Sequence, residues 1–382
     1  MREYLVYYEN QWWHFFMKPF YGLCYRKKEG VHFRPFEVLI KEACEDFCVL
    51  SAGGKLHLVC QDKEGNILYI DYDGTDWRKR TLLTSREEKP YPKYFSLISM
   101  SGYLNLFYTI IYRERCMLIH QMLDIGDKPP AVVDYIRPAR PPFLLTGRSG
   151  EEMILLYENE SGVSGGRRYR WSQKSFGGFV PTHPEAGCRI CAIHVEPDGR
   201  ERYAGFSLHG EICNLIYFEK KAEGTFTEPV TVYLDCPPDA HPVFCYDDEK
   251  FCLVWEERGA ILAASSEDSG KKWSKPMRYL KGSSVQPVLF CVGGDGKPRY
   301  AYGYSTEAEV SLYVMPDLIE PARQTKYNIQ AVKAQKYRAE STDRREESNY
   351  YAEELAVMKR QLSALQMKVD LLLEKLGDNM PK

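Results

Sequence analysis

Turn-forming residues return along this chain with a nearly constant step, and that step limits what the chain can fold into. Tight turns are read near Asn10, Gly53, Gly102, Gly150, Gly199, Asp248 and Gly296, at successive separations of 43, 49, 48, 49, 49 and 48 residues. Up to residue 328 the segments between turns alternate with period two or form short apolar runs, and none keeps a helical period for long. A repeat of about 48 residues is the length of one four-stranded sheet plus its connections, the unit that β-propellers arrange around an axis. The spacing therefore predicts an all-β fold, a seven-bladed β-propeller over residues 1–328. A six-bladed ring, in which the first segment completes the last blade, is the alternative.

One unit shows the expected layout. Residues 47–52 read as an inner strand, 55–61 as the second, 66–72 as the third and 78–83 as the outermost. By the same spacing the seventh unit begins near Gln286 and its outer strand falls at 321–327. The chain carries 28 Tyr and 17 Phe, residues suited to half-buried pleated surfaces.

Between the third and fourth strands of the sixth unit, expected at 260–264 and 274–280, the sequence reads Ser266-Glu267-Asp268-Ser269-Gly270-Lys271-Lys272-Trp273. In such a turn Asp accepts backbone N–H groups, Gly takes angles other residues avoid, and the aromatic ring tucks between sheets. Looser copies stand at Asp73-Gly74-Thr75-Asp76-Trp77, Glu29-Gly30-Val31-His32-Phe33 and Glu223-Gly224-Thr225-Phe226. Ser266, Asp268, Gly270 and Trp273 match the four fixed positions of Ser-x-Asp-x-Gly-x-x-Trp, and here the chain resembles the Asp-box (BNR-repeat) propellers of the sialidase-like superfamily. The resemblance implies fold far more than function. For a sialidase it would imply arginines holding a carboxylate, an acidic proton donor and a Glu-activated Tyr at the ring's centre. The first arginine of that set sits in Phe/Tyr-Arg-Ile-Pro. Phe33-Arg34-Pro35 lacks the Ile and falls on an outer strand, and Tyr135-Ile136-Arg137-Pro138 has the residues in another order. Arg137 and Arg140 are the first candidates if the chain is a sialidase-like glycoside hydrolase.

After residue 328 the texture changes. Residues 329–345 read as a polar basic linker, 346–377 as a coiled-coil helix and 378–382 as a tail. Leu355, Met358, Leu362, Leu365, Val369, Leu372 and Leu376 follow the 3,4 alternation of a heptad seam, with Tyr351 one position before it and Gly377 placed as a stop. An isolated helix of this length is marginal in water, whereas each seam residue gains roughly 1.5–3 kcal/mol on full burial before entropy costs. The helix therefore calls for a partner, and self-association is expected, with packing back onto the ring as the alternative. Glu354 and Lys359 occupy g and e positions able to pair across a parallel seam, and Leu371 and Leu373 widen the apolar face toward three or four strands over two.

The formal charge of −2 argues against a whole surface built for nucleic acid or anionic membrane. Acidic residues interrupt the opening Met1-Arg2-Glu3-Tyr4-Leu5-Val6-Tyr7-Tyr8-Glu9, and no uninterrupted apolar run reaches about 18 residues, so a soluble cytoplasmic protein is expected. The 12 cysteines are read as reduced, buried small hydrophobes.

Four local patterns suggest chemistry, each beside a plainer reading. Cys188, Cys191 and His194 invite zinc, but alternation along one strand puts Cys188 and His194 on one face and Cys191 on the other. Gly165-Gly166-Arg167-Arg168-Tyr169-Arg170-Trp171 interleaves bases and aromatics as single-stranded nucleic-acid grooves do, or is a blade strand with solvated arginines. Lys326, Lys333, Lys336, Arg338, Arg344 and Arg345, against Glu340 and Asp343, make a solvated linker or a dock for an anionic partner. Asp247-Asp248 and Glu256-Glu257 pair carboxylates, but at expected hairpin turns. No phosphate-binding loop or dinucleotide fingerprint occurs, and no cofactor or metal is expected. The expected function is non-catalytic binding or scaffolding, with several propeller faces gathered by the C-terminal helix and presented to a protein or glycan partner.

Overall fold

The structure, a computed structural model, describes residues 2–313 except 87–89, 124–128, 140, 149–150, 183–187, 197, 210–211, 222–223, 248–249, 280–283 and 295–298. Seven successive antiparallel meanders run through these residues. They are β1 (Arg2–Tyr8), β2 (Gln11–Lys18), β3 (Gly22–Glu29), the two-residue β4 (His32–Phe33) and β5 (Glu37–Ile40); β6 (Ala43–Ala52), β7 (Lys55–Asp62), β8 (Ile67–Tyr72) and β9 (Trp77–Leu83); and β10 (Ser96–Met100), β11 (Tyr103–Tyr112), β12 (Arg115–Met122) and β13 (Ala131–Ile136). The fourth comprises β14 (Phe143–Arg148), β15 (Glu152–Glu158), β16 (Ser164–Arg170), β17 (Ser175–Phe176) and β18 (Val180–Pro181), and the fifth β19 (Cys188–Val195), β20 (Glu201–His209), β21 (Ile212–Lys220) and β22 (Val230–Tyr233). The last two are β23 (Val243–Asp247), β24 (Lys250–Glu257), β25 (Ala260–Ser266) and β26 (Met277–Tyr279), then β27 (Pro287–Gly293), β28 (Arg299–Ser305) and β29 (Val310–Leu312).

The meanders form six hydrogen-bonded sheets, because the first and last share one. Their inner strands β1 and β27 pair in parallel, with Arg2 opposite Leu289 and Val6 opposite Gly293. Inner strands touch in sequence from β1 through β6, β10, β14, β19 and β23, β23 touches β28 of the last meander, and the β27–β1 pair closes the circle. Strand chemistry follows radial position. The second strand of the second meander, β7, is buried along nearly its whole length because neighbouring sheets cover both faces, whereas the outermost β9 is mostly exposed and polar. Where the sequence suggests a fourth strand at 274–280, the described outer strand is only Met277–Tyr279. The expected outer strand at 321–327 and the entire C-terminal seam from Leu355 to Leu376 lie outside the described residues.

The polar turns close the spaces between sheets. In the sixth meander Asp268 Oδ1 accepts from the Lys272 N–H at 2.8 Å and from the Ser266 hydroxyl at 2.9 Å, while Ser266 Oγ accepts the Gly270 N–H at 2.8 Å. Trp273 donates its indole N–H back to the Gly270 carbonyl, and its ring packs on Tyr217 of the fifth meander and Phe251 of its own. Gly270 has φ of +93°, and a Cβ there would stand 2.1 Å from the Tyr217 ring. Asp73 likewise accepts from Thr75 and Asp76, and Trp77 packs on Trp13, Phe15 and Tyr25 of the preceding meander. Phe33 and Phe226 repeat the placement: Phe33 lies with Phe290 and Val292 of the last meander, and Phe226 with Ile154 and Leu156 of the fourth. Each turn thus sends an aromatic ring against the meander before its own around the circle.

A candidate ligand cleft between the fourth and fifth meanders

Two glycines in β16 create the site. A Cβ on Gly165 would stand 2.6 Å from the Val180 carbonyl oxygen, and one on Gly166 would stand 2.4 Å from that of Leu155. The bare Gly165 lets β18 lie directly against β16, with Gly165 opposite Pro181 and Gly166 opposite Val180, and the bare Gly166 lets β15 close in from the other side. Beside this narrow edge a cleft of about 220 Å3 opens toward the fifth meander. Its apolar surface comes from Ile154, Leu156, Val180 and Phe226, and its polar groups include Arg167, Arg168, Arg170, Thr182, Tyr203 and Lys220.

The arginines are held from behind. Arg168 donates Nη1 to Glu152 at 3.0 Å and Nη2 to both oxygens of Glu201, on β20, at 2.7 and 2.6 Å. Arg167 points Nε at Asp134 of the third meander at 3.0 Å and Nη1 at the Gly177 carbonyl at 3.2 Å. Arg170 reaches Glu152 at 3.4 Å and is the most exposed of the three. Burial works against the charge on Glu201, but hydrogen bonds from Arg168 and the Tyr203 hydroxyl hold its carboxyl below the usual range. Burial pushes the Tyr157 phenol up, and its hydrogen bond to Asp134 pushes further in the same direction. Each fixed guanidinium thus keeps its charge and has little freedom to lose on meeting a ligand.

The interleaved run is therefore, through Arg170, a blade strand, as the plainer reading has it, but Arg167 and Arg168 are paired across sheets and only partly exposed. Tyr169 is buried against His120 and Phe176, which removes it from any base-stacking platform. The partners Asp134, Glu152 and Glu201, and the cleft residue Lys220, come from other strands and carry no local signal of their own, while Phe226 stands in a turn whose pattern is visible but whose place beside the cleft is not.

The remaining sequence candidates lie apart from this cleft. Arg137 follows the outer strand β13, largely exposed, 3.9 Å from Glu158, and Arg140 lies outside the described residues. On β19, strict alternation fails: a bulge between Ile190 and Ala192 shifts the register. Cys188 consequently joins Ile154, Leu156 and Phe218, while His194 faces Phe244 and Phe251, so they sit on opposite faces instead of sharing one. Among the described residues no three His, Cys, Asp or Glu side chains gather closely enough to hold a metal. Glu256 accepts the Gly259 N–H at 2.8 Å, closing the hairpin turn, and Asp247 ends β23.

The closed circle of meanders has counterparts among solved structures. A lectin from Burkholderia pseudomallei superposes with a TM-score of 0.57 at 11% identity, over 81% of this chain and 95% of its own. The polysaccharide lyase ulvan lyase gives 0.56 at 10% identity, over 82% and 91%. The fold is a β-propeller. At such identities the likeness concerns the fold alone. No family model and no curated protein sequence matches the chain.

Proposed function

We propose that this chain is a non-catalytic, glycan-binding seven-bladed propeller whose C-terminal helix, 346–377, gathers several copies. The observation that carries the reading is the cleft between the fourth and fifth meanders, where immobilised guanidinium groups, hydroxyls and a partly exposed Phe226 ring share one concave wall. Sugars present alternating polar edges and apolar C–H faces, which such a wall matches. The lectin and lyase likenesses agree with a saccharide ligand, the lyase having been solved bound to a GlcA(1-4)Rha3S saccharide.

Binding is preferred to hydrolysis because the nearby carboxylates are committed. Glycoside hydrolysis needs two carboxyl groups flanking the scissile bond. Asp134, Glu152 and Glu201 lie behind the arginines and are occupied by them. Multiplying the ring through the helix would convert weak single-site contacts into avidity.

Titration of the full chain against a panel of neutral and acidic oligosaccharides, with the products examined for new reducing ends, tests this reading. Saturable binding without cleavage supports it. Turnover, or no binding to any saccharide, defeats it.

A further inference from the structure

We infer that the cleft selects saccharides bearing an anionic substituent, a sulfate ester or a uronate carboxylate, over their neutral counterparts. The inference rests on the glycan-binding reading and adds the class of sugar. Four cationic side chains, Arg167, Arg168, Arg170 and Lys220, line the cleft, and among the described residues no carboxylate does. The carboxylates that hold the arginines, Asp134, Glu152 and Glu201, grip from outside the lining. The wall itself therefore presents cationic donors, with their counter-charges set behind them.

Donor geometry points the same way. Arg167 spends Nε on Asp134 and Tyr157 and Nη1 on Gly177, and its Nη2 makes no hydrogen bond among the described residues. Among the described residues Arg168 makes no hydrogen bond through Nε, while Glu152 and Glu201 fix its other end. Guanidinium nitrogens only donate, so they suit an oxyanion that only accepts better than a hydroxyl that must also donate. The Thr182 hydroxyl directs its own proton to the Ser164 carbonyl at 3.2 Å and can accept from a sugar hydroxyl beside that anion. Phe226 and Val180 supply the apolar flank against which a ring face can rest. The cleft volume of about 220 Å3 suits one charged sugar residue of a longer chain, not a buried oligosaccharide.

Calorimetric titration of the full chain tests this with two pairs of probes: a sulfated galactan tetrasaccharide with and without its sulfate esters, and a galacturonate oligosaccharide beside its methyl ester. The charged member of at least one pair should bind about tenfold more tightly than its neutral partner, an advantage lost near 1 M salt where the Debye length is about 3 Å. Which pair responds identifies sulfate or carboxylate as the recognised group. Arg170→Gln and Lys220→Gln, both near the surface, should each weaken the charged probe several-fold, whereas Arg34→Gln, the same charge change on the first meander, should not. Equal binding of charged and neutral probes overturns the inference and leaves glycan binding intact. Equal weakening by Arg34→Gln reduces it to bulk electrostatics and overturns it too. Failure of all four probes to bind, while other saccharides bind, overturns it as well, and failure of every saccharide removes the underlying reading.

Discussion

Arg26 donates Nη2 to the carbonyl oxygen of Thr306 at 2.8 Å, joining β3 of the first meander to the turn after β28 of the last. Its Nη1 donates to the Glu307 carbonyl, and Nε donates at 2.9 Å to His14 Nδ1, which leaves the other ring nitrogen of His14 to donate to Glu3. The guanidinium therefore serves three acceptors at the seam where the ring closes. Arg26 is 4% exposed, and a Met in its place would strand those acceptors. Arg26→Met should lower unfolding free energy by about 3 kcal/mol in urea titrations, and Arg26→Lys should recover little because an ammonium cannot reproduce the fork. An unchanged midpoint would show that the β1–β27 pair closes the ring unaided.

Acid should loosen the fold through its buried histidines. Burial lowers His120 and His241 from 6.5 to about 4, and also lowers His14 and His194. These groups are neutral in the fold and titrate higher when unfolded, so the unfolded chain takes up protons first as pH drops. Stability is fully present above 6.5 and is lost as pH falls toward 4, by about 1.4 kcal/mol per pH unit for each such histidine. Denaturation midpoints across that window should slope accordingly. His120→Gln, which can still donate to Asn105, should flatten the slope by one histidine's share, and an unaltered slope would refute the assignment.

The Ser266–Trp273 turn should respond in a graded way. Gly270→Ala forces a Cβ into the Tyr217 ring at positive φ and should cost about 3 kcal/mol. Asp268→Ala removes the acceptor of the Lys272 N–H and should lower the melting temperature less. Ligand affinity of the folded fraction should be unchanged in both. Lost affinity at full stability would assign the turn to a binding site.

The proposed C-terminal helix carries a separate expectation. In light scattering the full chain should have the mass of a trimer or tetramer, and a version ending near residue 340 that of a monomer. A monomeric full chain would end the gathering role of the seam.

What could be read in the sequence was whatever the chain settles locally. The Asp–Gly turn of 73–77 needs its acceptor and its aromatic within one hairpin, so its residues announce it, and the aromatic's destination against the previous sheet follows from the ring. The cleft could not be read that way. Arg168 meets Glu201 33 positions away on another sheet, and neither residue's neighbours indicate the match. The bulge in β19 was hidden for a similar reason: its extra residue is fixed by pairing with β20, while Cys188-Arg189-Ile190-Cys191 reads as uninterrupted alternation. The shared sheet of β1 and β27 is likewise a product of closure and not of any one repeat.

That shared sheet also sets an order of events on the ribosome. Tyr4 emerges well before its in-register neighbour Cys291 and meets it only after nearly a full circuit of the ring has been synthesised. Until then one flank of β1 offers its N–H and C=O groups to any extended strand nearby, including a sibling chain on the same message. The slow step of folding, and the interval most exposed to a chaperone or to misassembly between chains, should be the arrival of the last inner strand beside the first.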